Sequence, residues 1–272
     1  MKKLSAAILA CLLILAALLC TSCEKMTTYQ VFTNAKEKTE KLDSYACRMT
    51  MNMIISSQGV EMTVPMTYDL KMKDLHSEKP IYSGDISIEM FGAKVKMNVY
   101  DDGDYMYISA MGEKAKISKE NFASEMEDSV SMDISKMGEN MIAEFPEEIF
   151  KDVTYTEDEN GARKFSFALS AEQFETYCKD LGALIAEQAG SSFEDLGVEV
   201  KVENINVSVV VNKDGYFESY AVSFDMEMTI DEGDGTKTTM TLKAGMELEI
   251  IDPGTPVEVA APADLDAYVE ER

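Results

Sequence analysis

Sulfur is the chemistry that this sequence offers in quantity. Its 272 residues include 20 Met and 5 Cys, and in Cys47-x-Met49-x-Met51-x-Met53 soft ligands recur at every second position. That donor set suits Cu(I). On a strand, however, alternate side chains share a face at a separation of about 6.6 Å, too wide for one ion to gather them. The period continues through Met62, Met66 and Met72, then Met90 and Met97, and returns in Met226, Met228, Met240 and Met246. Two readings of that face stand side by side. It is a deformable lining for an apolar ligand, because Met has three rotatable bonds and a polarizable sulfur, or it is a core packed against helices. Cys47 shares the face, and Cys178 sits on the apolar stripe of an expected helix. They form either a disulfide tying helix to sheet, a bond contributing about 3 kcal/mol when unstrained, or two buried free thiols.

Residues that catalysis ordinarily needs do not gather into a motif. His76 is the single His, which excludes a two-His metal site. There is no G-x-S-x-G nucleophile elbow and no phosphate-binding loop. In the acidic stretch from Thr156 onward, Thr156 stands where a calcium loop needs its first Asp and Phe167 where it needs its closing Glu. The expectation is a protein that is not an enzyme and that carries no cofactor and no metal. With 50 acidic against 25 basic residues the net charge is −25. Such a surface repels phosphate backbones, so nucleic acid is not an expected partner, and it disfavours general docking on anionic lipid heads. Solvation outside the cytoplasm is the plain reading of that acidity.

One cysteine has a different chemistry. Lys2 and Lys3 precede an apolar run from Leu4 to Cys20, which ends in Thr21-Ser22-Cys23 before the polar Glu24-Lys25. A basic start, an apolar stretch and small residues before a cleavage point mark a secretory signal. The junction resembles a lipobox, with Cys20 where Leu is commoner, and implies a diacylglycerol on Cys23 of a bacterial lipoprotein. Two acyl chains suffice for stable anchoring, at about 0.8 kcal/mol per buried methylene. The alternative is an uncleaved apolar anchor, short beside the ~20 residues that usually span a bilayer. Either way the remainder is expected on the outer face of the cytoplasmic membrane, where disulfides persist. Removal of residues 1–22, which hold two Lys and no acid, leaves 23 basic against 50 acidic residues and a net charge of −27.

The elements that would position these groups follow from periodicity. Residues 27–42 read as a helix with Val31, Phe32, Ala35, Thr39 and Leu42 near one face. The period then drops to 2. Tyr45 to Ile55 and Val60 to Met72 alternate around Gln58-Gly59, and a third strand carries Tyr82, Ile86, Ile88 and Met90 inward. Gly92 turns into a fourth with Val95, Met97 and Val99, and Asp101-Asp102-Gly103-Asp104 precedes a fifth over 105–117. Residues 118–150 read as two short helices. Strands over 153–156 and 163–169 flank Glu159-Asn160-Gly161, and Ser170 caps a helix with the stripe Phe174, Cys178, Leu181 and Ile185. Three strands close the chain, over 202–212, 216–230 and 236–250. About ten long antiparallel strands thus offer one apolar face, which only helices can cover, in a single domain spanning 23–272.

This layout is similar to the LolA-like superfamily, closest to the lipid-binding LppX and LprG type of lipoprotein. The features that carry the resemblance are the opening helix into Glu40-Lys41-Leu42-Asp43-Ser44-Tyr45, the Met-alternating hairpin, the Asp102-Gly103-Asp104-Tyr105-Met106-Tyr107 hairpin and the closing meander. The resemblance implies an α+β fold: a curved antiparallel half-barrel with helices in its concave face, a cavity for acyl chains, and the 118–150 insert as a lid. The expected lining is Met49, Met51, Met53, Met62, Met66, Ile86, Ile88, Met97, Phe224, Met226, Met228, Met240, Leu242 and Met246, with Tyr105 and Tyr107 as further candidates. Two functions are open: an anchored module binding or carrying a lipid or other apolar molecule, or a surface protein with a filled core and a protein or cell-wall partner.

Overall fold

Helix α1 (Thr28–Glu40) begins where its cap says it must. The Thr27 hydroxyl accepts the Gln30 amide proton at 3.2 Å, and the Gln30 side chain accepts that of Thr27 at 2.9 Å, a reciprocal capping box. Val31, Phe32, Ala35 and Thr39 form its buried face. Glu37 and Lys41 pair one turn apart at 2.6 Å, and Lys36 and Glu40 form a second pair with the same sequence spacing. The computed structural model describes residues 25–119, 142–177, 198–231 and 237–270. The expected signal segment with Cys23, most of the expected helical insert, and Cys178, Leu181 and Ile185 lie outside them.

After α1 the chain lays down β1 (Ser44–Ser57), β2 (Val60–Lys73), β3 (Ile81–Met90), β4 (Ala93–Asp101), β5 (Tyr105–Ala110) and β6 (Glu113–Ser118) as one meander. A second meander runs through β7 (Thr156–Glu157), β8 (Arg163–Leu169), β9 (Val198–Val211), β10 (Phe217–Asp231) and β11 (Lys237–Ile251), with α2 (Ala171–Tyr177) between β8 and β9 and a two-residue β12 (Val269–Glu270) at the end. The meanders join where β1 zips to β11, from Ala46 opposite Ile251 to Ser57 opposite Met240. The result is one open 12-stranded sheet in the order β12-β6-β5-β4-β3-β2-β1-β11-β10-β9-β8-β7. Every pairing is antiparallel except β12 with β6. The expected α+β half-barrel is the fold found.

Differences from the expected elements have local causes. Residues 105–117 are two strands, because Met111 and Gly112 adopt φ of 51° and 89°, the paired positive φ of a type I′ hairpin turn. Gln58-Gly59 (51°, 81°) and Phe91-Gly92 (52°, 76°) turn the same way. That split and the short β12 raise the strand count. The strand expected over 153–156 is only Thr156–Glu157, since the Thr28 hydroxyl donates to the Val153 carbonyl at 2.6 Å and ties that segment to α1. Within 142–150, a single 3-10 turn covers Glu147–Phe150. Ser170 does cap α2, accepting from the Gln173 amide at 3.2 Å. In β9 the inward set shifts from even to odd numbers between Val202 and Ile205, because a bulge at Asn204, φ 54°, inserts one residue opposite Phe224.

Candidate functional site

Pairing across the sheet stacks inward side chains in rows. The lowest row runs Tyr45, Met72, Tyr82. Above it come Ile250, Cys47, Leu70, Gly84, Val99, then Tyr220, Leu248, Met49, Tyr68, Ile86, Met97. The next row, Val222, Met246, Met51, Met66, Ile88, is followed by Phe224, Ala244, Met53, Val64, then Met226, Leu242, Ile55, Met62. Met49, Met51, Met53, Met62, Met66, Ile86, Ile88, Met97, Phe224, Met226, Met228, Met240, Leu242 and Met246 therefore share one face, whereas Tyr105 and Tyr107 do not.

Burial along that face is uneven. The lower rows are sealed: Cys47, Met49 and Met72 are 1 % exposed and Tyr68 and Tyr220 2 %. Their cover is α1 and an aromatic cluster. Phe32 of α1 meets Phe145, Phe150 and Phe217 at ring-centre distances of 5.7, 5.2 and 5.4 Å. Phe150 and Phe145 in turn sit on Phe167 of β8 at 5.1 and 5.2 Å. Thr39 seals the end of the helix, its buried hydroxyl accepting the Phe217 amide proton at 3.0 Å. On the β10 side the cover continues upward, where Phe174 of α2 packs on Phe224 at 5.1 Å and Met226, Met228 and Leu242 are buried. Over β1 and its neighbours it thins. Met51, Met53, Ile55, Met62, Ile88, Met97, Met240 and Met246 are half-buried.

Electrostatically the middle rows are uncharged, whereas at the lower edge Asp101, opposite Tyr82, is buried and pairs with Lys119 at 2.9 Å. Burial, with a smaller push from Asp69, raises the Cys47 thiol to about 12. Burial alone raises Tyr68 to about 12, and it also drives Tyr45 upward. The Tyr68 hydroxyl lies 3.7 Å from the Met66 sulfur, to which it donates. Thiol and phenols therefore stay protonated at ordinary pH, and the surface offers dispersion and adaptable shape rather than charge. The sulfurs are also interleaved with hydrocarbon. Cys47 faces Leu70 and Ile250, and Met49 faces Tyr68 and Leu248, whereas Met51 alone in that strand has Met on both sides, Met66 and Met246. Among the described residues no group of three or more His, Cys, Asp or Glu is placed to hold a metal ion.

Tyr105 and Tyr107 belong to the other face. Tyr107 pairs across β4 and β5 with Tyr100, whereas Val99 pairs with the inward Ile108. On that outer side Tyr107 donates to Asp102 at 3.1 Å and meets Tyr268 edge-on at 5.4 Å. The parity is set at the turn, where the Asp102 carboxylate accepts the amide protons of Asp104 and Tyr105 at 2.9 and 2.8 Å. The composition also hides three exposed apolar residues at turns along one end of the sheet: Val60, Phe91 and Met111, at 71 %, 85 % and 88 %. An apolar residue beside Gly was the available signal for Phe91 and Met111.

A family model described as a family of unknown function, DUF6612, matches residues 27–259. No curated protein matches the sequence. Among solved structures the chain is similar to LprF from Mycobacterium bovis, at 12% identity over 86% of this chain and 96% of that one, with a TM-score of 0.45. It is similar to a DUF1329 family protein from Desulfovibrio piger at 11% identity, over 80% and 92% of the two chains, with a TM-score of 0.23. A third is a putative outer membrane lipoprotein-sorting protein domain from Vibrio parahaemolyticus, at 12% identity, over 85% and 93%, with a TM-score of 0.26. Among the described residues no helix is long and apolar enough to cross a membrane.

Proposed function

The chain belongs to the DUF6612 family, and we propose that this member is a bacterial lipoprotein, held on the outer face of the cytoplasmic membrane by a lipid on Cys23, that binds or carries a lipid or other apolar molecule on its Met-rich inner face. The observation that carries this reading is the burial gradient. One continuous apolar face is sealed at its lower end and left half-buried over Met51, Met53, Met62, Met240 and Met246. Covering such surface gains about 25 cal/mol per Å², and flexible thioethers adapt to chains of varied length and branching. The neutral thiol and phenols beneath add no charge for an apolar ligand to desolvate.

A second reading, a surface protein with a filled core and a protein or cell-wall partner, draws support from the aromatic cluster that closes the lower rows. Native mass spectrometry on the chain from Glu24, expressed in a bacterial host, separates the two. A stoichiometric acyl-containing adduct that is lost on denaturation is the expected result for the carrier. An unliganded mass, unchanged after incubation with host lipids, overturns it in favour of the second reading.

A further inference from the structure

Two neighbouring hairpins end in the same sequence pattern. At the β3–β4 turn the chain reads Phe91-Gly92-Ala93-Lys94-Val95-Lys96, and at the β5–β6 turn Met111-Gly112-Glu113-Lys114-Ala115-Lys116. Each presents a large apolar residue at the tip, a Gly behind it, and two Lys on one face of the strand that leaves. Phe91 and Met111 are 85 % and 88 % exposed. Both take the first central position of a type I′ turn, with φ of 52° and 51°, where Asn, Asp or Gly fits without strain and a bulky side chain does not. Nothing among the described residues is gained in exchange, since neither tip packs against the core. Strain and exposed apolar area together, twice over, point to something outside the chain.

We infer that these two tips insert into the interfacial region of a lipid bilayer with anionic headgroups, independently of whether the inner face holds a ligand. Spacing favours a bilayer over a protein partner. Met97 pairs with Ala110, so the Phe91 turn stands about five residues, roughly 15 Å, beyond the Met111 turn along the strands. Two lone side chains so far apart do not form the clustered, tightly packed anchor of a protein interface, whereas fluid acyl chains receive each separately. Charge agrees locally. In a chain of net charge −25, these hairpin ends hold Lys94, Lys96, Lys114 and Lys116 against Glu89, which faces Lys94, and Glu113. Lys94 and Lys96 are exposed, while Lys114 and Lys116 also pair with Asp264 and Glu270 of the C-terminal tail. Ammonium groups set just behind an apolar tip lie at headgroup level when the tip is inserted.

The chain contains no Trp, so one introduced Trp reports alone. The chain from Glu24, which holds every described residue, is prepared as Phe91→Trp, Met111→Trp and Val269→Trp, the last an exposed control in β12. Each is mixed with vesicles of equal phosphatidylglycerol and phosphatidylcholine, and with phosphatidylcholine alone. The expected result is a blue-shifted emission for both tip variants on the anionic vesicles, quenched by brominated acyl chains, with no shift for Val269→Trp. Lys94→Glu with Lys96→Glu then weakens the Phe91→Trp response about tenfold or more. An unshifted spectrum from both tips, an equal shift from the control, or indifference to the lysine reversal overturns the inference. Unchanged melting of each variant excludes misfolding as the cause.

Discussion

The two ends of the sheet are built from the same alternating strands and finished in opposite ways. At the lower end the turns are closed by side-chain amides and carboxylates. Asn212 accepts the amide protons of Asp214 and Tyr216 at 3.0 Å each, and Asp158 those of Asn160 and Ala162 at 2.9 and 3.0 Å. The inner face there is capped by α1 and packed phenyl rings. At the upper end two of the turns are a large apolar residue plus Gly, Phe91-Gly92 and Met111-Gly112, and the Met rows over β1 are half-buried. Length explains the divide. A helix of 13 residues reaches about 20 Å, whereas β9, a strand of 14 against which it packs, reaches about 46 Å. Whichever way α1 lies, it cannot cover the strand it packs on.

Equivalent cuts at the two ends therefore differ in consequence. The largest stability loss is expected for Phe32→Ala, which removes a ring touching three others in a sealed site. About 3–5 kcal/mol corresponds to a fall in melting temperature of roughly 10 °C for a chain this size. Gly84→Val follows. A Cβ at Gly84 would stand 2.5 Å from the Asp69 carbonyl oxygen of the neighbouring strand, and overpacking of this kind costs about 1–3 kcal/mol. Thr39→Val keeps the shape but leaves the Phe217 amide without its acceptor, about 1–3 kcal/mol by the same melting measurement. Met51→Ala combined with Met246→Ala is expected to cost less per residue than Phe32→Ala while weakening retention of a bound apolar molecule. Equal stability losses at the two ends would erase the comparison.

The smallest effect is chemical. Cys47 is buried, and its thiol, raised from 9.0 to about 12, favours the protonated folded state. That contribution is full below pH 9.0 and is lost as pH climbs toward about 12. Alkylation of the native, reduced chain at pH 8 should therefore spare Cys47, and guanidinium should expose it. Rapid native labelling, read by mass spectrometry, would show that the lower rows are not closed.

Which residues share the inner face was legible in the sequence, because period 2 needs no knowledge of partners. How far cover reaches along that face was not, because Phe145 and Phe150 lie in a segment whose spacing looked helical and acquire their role only by meeting Phe32 and Phe167. Pairing of β1 with β11 joins residues about 200 apart in sequence, which no local signal announces. Tyr105 and Tyr107 were placed on the wrong face because the Asp102 turn fixes parity, and a one-residue difference there moves every side chain across. The Met111-Gly112 turn was missed for want of the Asn or Asp that usually marks it. For β9 the signal was present in the change from Val202 to Ile205, and only the bulge at Asn204 explains it.

The most direct measurement is photolabelling of the chain from Glu24 with a diazirine-bearing fatty acid, with adducts mapped by peptide mass spectrometry. Adducts concentrated on peptides carrying Met51, Met53, Met62, Met240 and Met246, and displaced by unlabelled fatty acid, are the result expected of an apolar binding face. Adducts scattered over the outer face, or none displaced by competitor, would contradict it and leave a sheet whose open end serves some other purpose.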